Sequence, residues 1–216
     1  MKATLDFLLD KRIIAVIRGI SSRHILSTGQ ALVDGGIVCL EVTFDASSEE
    51  RSEDTLQSLA LLKKEFGDGI ALGVGTVLRE QHVRDAAQAG ATYIVSPDAD
   101  RNVITETVKL GLVSVPGAMT PTEILNARRW GADVVKLFPV ASLGAEYIRS
   151  IRAPISHVPL FAVGGVNPEN AGSFLEAGCA GISAGSNLVD AKKISAGNFR
   201  AITKLAAAYV QACARR

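Results

Sequence analysis

DVVKLFPV, residues 133–140, is an apolar β-branched run with one charge, Lys136, in its middle. Val134, Val135, Leu137, Phe138 and Val140 mark a short strand suited to a protein interior. A buried ammonium without a partner loses its hydration, so it must find a carboxylate or release its proton more readily. The fold around this strand has to account for that charge.

Similar runs recur along the chain. IIAVIR (13–18), IVCLEVTF (37–44), IALGVGT (70–76) and TYIVS (92–96) precede DVVKLF (133–138) together with LVSVP (112–116); PLFAVG (159–164) and AGISAG (180–185) follow it. Helical periodicity over about ten to twenty residues separates each from the next. Eight such units predict an α/β fold, a (β/α)8 TIM barrel rather than an open doubly wound sheet, with residues 1–216 forming a single domain. Helix ends agree. Ser21-Ser22, Thr120-Pro121 and Asn167-Pro168 read as helix starts, with oxygen-bearing caps and, in two cases, a proline whose missing N–H is not needed there. Gly35, Gly90, Gly111, Gly131 and Gly178 fall at helix ends, where a left-handed residue is expected. The last helix, from Phe199 to Ala214, is followed by Arg215-Arg216, which complements the negative end of its dipole.

Composition narrows the function. The 216 residues are 48% hydrophobic, enough for a sizeable core, and 23 Lys plus Arg against 22 Asp plus Glu give a net charge of +1. No basic stripe interleaved with aromatics suggests a nucleic-acid partner. Charged residues interrupt the apolar N-terminus, and no run approaches the ~18 apolar residues of a membrane span, so a cytoplasmic protein with no membrane contact is expected. Cys39, Cys179 and Cys213 are odd in number and far apart, which predicts buried thiols rather than disulfides or zinc ligands. His24, His82 and His157 are scattered without metal-ligand spacing and are expected in surface or capping roles.

A barrel draws its active groups from the carboxyl ends of its strands. The polar residues there are Arg18, Glu41, Thr43, Thr76, Ser96-Pro97 and Lys136. Strand alternation puts Glu41 and Thr43 on one face, and Val134, Lys136 and Phe138 on one face. If those faces point inward, Glu41, Lys136, Arg18 and Thr76 converge; the alternative is a buried structural ion pair of Glu41 with Lys136. FAVGG (161–165), leading into Asn167-Pro168, and AGSN (184–187) lie after strands seven and eight, where this fold holds phosphate on backbone N–H groups and a helix amino terminus. Ser186 either adds a hydroxyl donor to that site or caps the short helix that follows.

A desolvated lysine near another cation has a lowered pKa, and its neutral amine attacks ketones to form an imine. The imine draws electrons from neighbouring carbons and allows carbon–carbon cleavage without metal or cofactor. Glu41 is the proton carrier within reach, Arg18 and Thr76 suit a substrate carboxylate, and the glycine loops suit a phosphate, so the pieces describe a phosphorylated keto acid. No GxSxG elbow occurs, and GVGTV (73–77) is not a dinucleotide fingerprint. Another phosphate-binding barrel, such as an isomerase or a thiazole- or indole-type synthase, and a silent sugar-phosphate binding protein remain open.

VIRG (16–19), LEVTF (40–44), GVGTV (73–77), IVSPD (94–98), VPGAMTPTE (115–123), VKLFP (135–139), FAVGGVNPEN (161–170) and GSNLV (185–189) together resemble the class I KDPG/KHG aldolases. The resemblance implies cleavage of a 2-keto-3-deoxy-6-phospho-aldonate to pyruvate and glyceraldehyde 3-phosphate, with no cofactor and no metal. It implies that Lys136 is the Schiff-base lysine and Glu41 the acid–base residue. Arg18, Thr76 and Pro97 would form the pyruvate pocket, Phe138 would pack beside the imine, and Gly164, Gly165 and Ser186 would hold phosphate. Trimers are implied by similarity alone. Two departures bear on the substrate: Asp45 stands where some gluconate-type relatives carry arginine, and Val163 stands where threonine is common in them. Valine offers no hydrogen bond to a substrate hydroxyl, and with FPVASLGAEYI (138–148) it resembles the 6-phosphogalactonate branch.

Overall fold

The computed structural model describes residues 1–45 and 48–214, and the side chains of 49–51 are left aside. Nine parallel strands alternate with helices: β1 (Ile13–Ile17), β2 (Cys39–Thr43), β3 (Ala71–Gly75), β4 (Tyr93–Val95), β5 (Val113–Val115), β6 (Gly117–Ala118), β7 (Val135–Leu137), β8 (Leu160–Val163) and β9 (Gly181–Ala184). Their order in the sheet is β5-β4-β3-β2-β1-β9-β8-β7-β6. β5 and β6 are two halves of one barrel strand, divided at Pro116, which has no N–H to give. Its first half pairs with β4 and its second with β7, where Gly117 is in register with Lys136. Lys136 N donates to Pro116 O at 2.9 Å. Eight barrel strands therefore close the (β/α)8 fold, and the fifth runs two residues beyond Pro116.

Alternate side chains divide the core in two. Ile13, Ala15, Leu40, Val42, Leu137 and Ala162 pack outward against the helices, while Ile14, Cys39, Tyr93, Val115, Val134 and Phe161 fill the barrel. Tyr93 plugs the interior beneath the upper mouth: its ring lies where a Cβ on Gly73 would come within 2.2 Å, and its hydroxyl donates to Leu40 O at 2.7 Å. Helix α1 (Lys2–Lys11), which the sequence reading passed over, contacts β3 and β5 and sends Leu8 into the same interior cluster.

The outer helices are α2 (Ser22–Asp34), α3 (Glu49–Phe66), α4 (Glu80–Gln88), α5 (Arg101–Lys109), α6 (Pro121–Trp130), α7 (Gly144–Arg152), α8 (Pro168–Glu176), α9 (Ala191–Ser195) and α10 (Phe199–Ala214). Ser21 caps α2, and Thr120 and Asn167 form reciprocal capping boxes with Glu123 and Asn170. Each such cap contributes roughly 0.5–2 kcal/mol. Gly90, Gly111, Gly131 and Gly178 have the expected positive φ. Gly35 does not: its φ is −82°, and Gly36, at +90°, takes the left-handed position. Gly35 is needed for space, since a Cβ there would stand 2.4 Å from Ala206 Cβ and 2.7 Å from Thr203 O of α10. Arg215-Arg216 and Ala46-Ser47 lie outside the described residues.

This contact makes a prediction. Gly35→Ala keeps an accessible backbone conformation but forces α2 and α10 apart, and should destabilise the fold by about 1–3 kcal/mol. A lowered urea midpoint checks it; an unchanged midpoint would show that the helices give way freely.

Candidate active site

Lys136 sits in the middle of β7, and its parity with Val134, a member of the barrel-interior cluster, points it inward. It is only 8% exposed, and its Nζ lies 4.9 Å from the Phe138 ring centroid. Burial lowers its pKa; the Arg18 cation pushes the same way, and the Glu41 carboxylate opposes both.

Glu41 shares the interior with Lys136. It is 1% exposed, and burial raises its pKa against the pull of Lys136 and then Arg18. Gly75 makes room for it, because a Cβ there would overlap Oε1 at 1.8 Å. That oxygen is buried with no hydrogen-bond partner. No direct ion pair joins the two residues among those described, so the buried structural salt bridge that the sequence left open is absent. The carboxylate keeps an unused, buried acceptor in the same interior as the desolvated amine, and an unsatisfied buried polar atom carries a free-energy cost.

Arg18 follows β1, and its Nη2 donates to Thr76 Oγ1 at 3.2 Å. Thr76 has φ +59°, a left-handed conformation that costs a β-branched residue about 1–3 kcal/mol and is typically held where a site needs it. A cavity of about 240 Å³ opens between these groups and the ends of β8 and β9. Arg18, Thr76, Pro97, Lys136, Phe138, Val163, Gly164, Gly165 and Ser186 all line it, with Glu41 buried apart from its wall. A second hollow of about 690 Å³ shares Arg18 and Thr76 and extends over Thr43, Phe44 and Asp45.

The far end of the cavity is backbone. Gly164 and Gly165 have φ of +95° and +73°, and a Cβ on Gly165 would strike Ala141 Cβ at 2.5 Å. They lead into the capped amino terminus of α8, where Asn170 Nδ2 also donates to Gly165 O at 3.1 Å. Opposite them, Ser186 is exposed in the turn after β9; α9 is capped by Asp190 instead, so the capping alternative for Ser186 does not hold. Glycines leading into a helix amino terminus suit an anion.

Ser183 and Asn187 also line the cavity and were missed in the sequence. Their signal was parity on a short strand and a place in a turn two residues after a glycine, both too common to single them out. His82 corrects an expectation: it is buried, its Nδ1 lacks a partner, and its ring lies 4.6 Å from that of Phe44. Burial and the Arg79 cation lower its pKa, while Asp85 opposes them. His24 is half-buried and His157 exposed. The three cysteines are buried free thiols, with Cys39 and Cys179 pushed up to about 12 and Cys213 to about 11 by burial. Among the described residues no group of three or more His, Cys, Asp or Glu could hold a metal ion, and no helix is long and apolar enough to cross a membrane.

A (β/α)8 barrel whose cavity at the carboxyl ends of its strands is lined by a desolvated lysine and a glycine turn belongs to the barrels that carry their sites on that face. The profile of the KDPG and KHG aldolases matches residues 6–205, and the chain belongs to that family of carbon–carbon lyases. It is similar to the 2-dehydro-3-deoxy-6-phosphogalactonate aldolase of Escherichia coli (strain K12), with 34% identity over 201 residues and 93% of each chain covered. A solved native KDPGal structure superimposes with TM-score 0.84 at 34% identity, covering 93% of both chains. A KDPG aldolase from Legionella pneumophila, with pyruvate captured at low pH as a covalent carbinolamine intermediate, superimposes with TM-score 0.83 at 26% identity, covering 95% of this chain and 97% of that one.

The opposed charges around Lys136 predict opposite shifts. Removing the Glu41 charge, as Glu41→Gln, leaves the ammonium less stabilised and should move the pH midpoint for acetylation of Lys136 by acetic anhydride downward. Removing the Arg18 charge, as Arg18→Met, should move it upward. Mass spectrometry of the Lys136 peptide across pH reads both, and shifts of the same sign would contradict this electrostatic arrangement.

Proposed function

We propose that the protein is a class I aldolase that cleaves a 2-keto-3-deoxy-6-phospho-aldonate to pyruvate and glyceraldehyde 3-phosphate, with the whole chain acting as one barrel domain. The carrying observation is the desolvated Lys136 amine beside a carboxylate with an unpaired buried oxygen. The lowered pKa leaves part of the lysine as neutral amine, which adds to C2 of the substrate; loss of water then gives a protonated imine. Glu41, its proton held more tightly by burial, serves as the carrier. It takes the proton of the C4 hydroxyl, directly or through water, as the C3–C4 bond breaks. The bonding pair moves into an enamine, C4 leaves as the aldehyde carbon of glyceraldehyde 3-phosphate, and the same proton returns to C3 to make the pyruvate methyl. Water then hydrolyses the imine, replacing the molecule lost on its formation.

Arg18 and Thr76 hold the keto-acid carboxylate, with Pro97 closing that side of the pocket. Phe138 packs over the imine, whose positive charge its ring face favours. Gly164, Gly165 and Ser186 hold the phosphate. Because Asp45 cannot bind a carboxylate as arginine would, that recognition falls more heavily on Arg18. The 6-phosphogalactonate epimer is the preferred substrate in this reading, with the 6-phosphogluconate epimer also cleaved. Val163, which cannot donate to a C4 hydroxyl, and the similarity to an aldolase named for phosphogalactonate support that order. The reading includes a homotrimer, for which exposed Leu78, Val108, Leu110 and Met119 supply apolar surface.

Borohydride reduction with pyruvate should leave a stable adduct mass on the Lys136 peptide. Turnover of both C4 epimers should occur in the wild type and fall by at least about 10³-fold in Lys136→Ala, since the covalent route is then closed. No adduct on Lys136, or equal rates in the variant, would overturn the assignment of Lys136; no adduct together with no turnover would favour a silent sugar-phosphate binder.

A further inference from the structure

Ser183 lies on β9 in register with Ile14 on one side and Val163 on the other. It is 6% exposed and lines the cavity with Lys136, Val163 and Ser186. Its parity is that of Gly181 and Gly185, neither of which has a side chain to mask it. Several buried hydroxyls of this fold are satisfied internally: Thr55 donates to Thr43 O, Thr107 to Val103 O and Ser96 to Asp98 O, while that of Ser58 is unpartnered but lies away from the cavity. The Ser183 hydroxyl has no such bond among the described residues. A hydroxyl that lines the cavity, flanked across the strands by Ile14 and Val163, is placed to take its partner from a molecule in that cavity.

We propose that Ser183 is the residue that reads configuration at C4, by a hydrogen bond between its hydroxyl and the C4 hydroxyl of the substrate. This rests on the aldolase reading above. In that reading C2 is bonded to Lys136 on β7 and the phosphate lies on the loops after β8 and β9, so the middle carbons of the substrate pass the wall formed by β8 and β9. Val163 and Ser183 are neighbours across that pair of strands, one apolar and one polar. The epimer whose C4 hydroxyl faces β9 finds a partner. The other epimer turns its hydroxyl toward valine and leaves the serine unpaired, which is the arrangement that discriminates most strongly.

The test compares kcat/KM for the 6-phosphogalactonate and 6-phosphogluconate epimers in wild type, Ser183→Ala, Ser183→Thr and the double variant Ser183→Ala/Val163→Thr. Ser183→Ala should lower kcat/KM for the preferred epimer by about tenfold to a hundredfold and spare the other, bringing the ratio toward one. Ser183→Thr, which keeps the hydroxyl, should retain the preference. The double variant, with the hydroxyl moved from β9 to β8, should reverse it. An epimer ratio unchanged by Ser183→Ala overturns the proposal, including the case where both rates fall equally, which would mark a packing role. Borohydride trapping of pyruvate on the wild type separates the two levels: with no adduct the aldolase reading fails and takes this proposal with it, whereas an adduct with an unmoved ratio sinks the proposal alone.

Discussion

The site depends on one amine being kept out of water. Strand β7 carries Lys136 into the barrel, where burial disfavours the ammonium and Arg18 adds repulsion, while Glu41 alone pulls the other way. A direct ion pair would have undone this balance by fixing the proton on the amine. Among the described residues no ion pair joins the two, and Oε1 of Glu41 has no hydrogen-bond partner. Each charge offsets part of the cost that burial sets on the other.

Missing side chains arrange much of this. Gly75 admits the Glu41 carboxylate, Gly73 admits Tyr93 beneath it, and Gly181 admits Phe161. On Gly117, in register with Lys136, a Cβ would strike the Pro97 carbonyl at 2.1 Å, so the loop after β4 can cross the mouth only over a glycine. Large rings thus fill the lower barrel and small residues open its upper end, and the cavity follows from that division. Gly164 and Gly165, which line the same cavity, then turn the chain toward the start of α8.

The parts legible in the sequence were those where local chemistry conflicts with location. Lys136 stood out because it interrupts an apolar strand, and Glu41 because alternation places it on a face where a carboxylate is costly. Capped helix starts such as Thr120-Pro121 and Asn167-Pro168 were legible because the cap is a local event. What escaped depends on distant packing. Gly35 was read as a left-handed stop, although its need for glycine comes from α10, about 170 residues further along the chain. His82 was read as a surface residue, but Phe44 of another element covers it. Helix α1 precedes the first strand, outside the repeating units, so its packing of Leu8 into the barrel interior had no place in the pattern, and Ser183 has no unusual neighbours in sequence. The residue-level roles within the family came from resemblance, whereas the convergence of Arg18, Thr76 and Lys136 could be argued from strand ends alone.

The most direct measurement is the ionisation of Lys136 itself, followed as the ¹³Cε chemical shift in lysine-labelled protein and assigned by its loss in Lys136→Met. A titration midpoint below the ordinary lysine value of 10.5 is the result this account predicts. A midpoint at or above that value would contradict it, because the amine would then be an ordinary ammonium and the chemistry built on it would have no nucleophile.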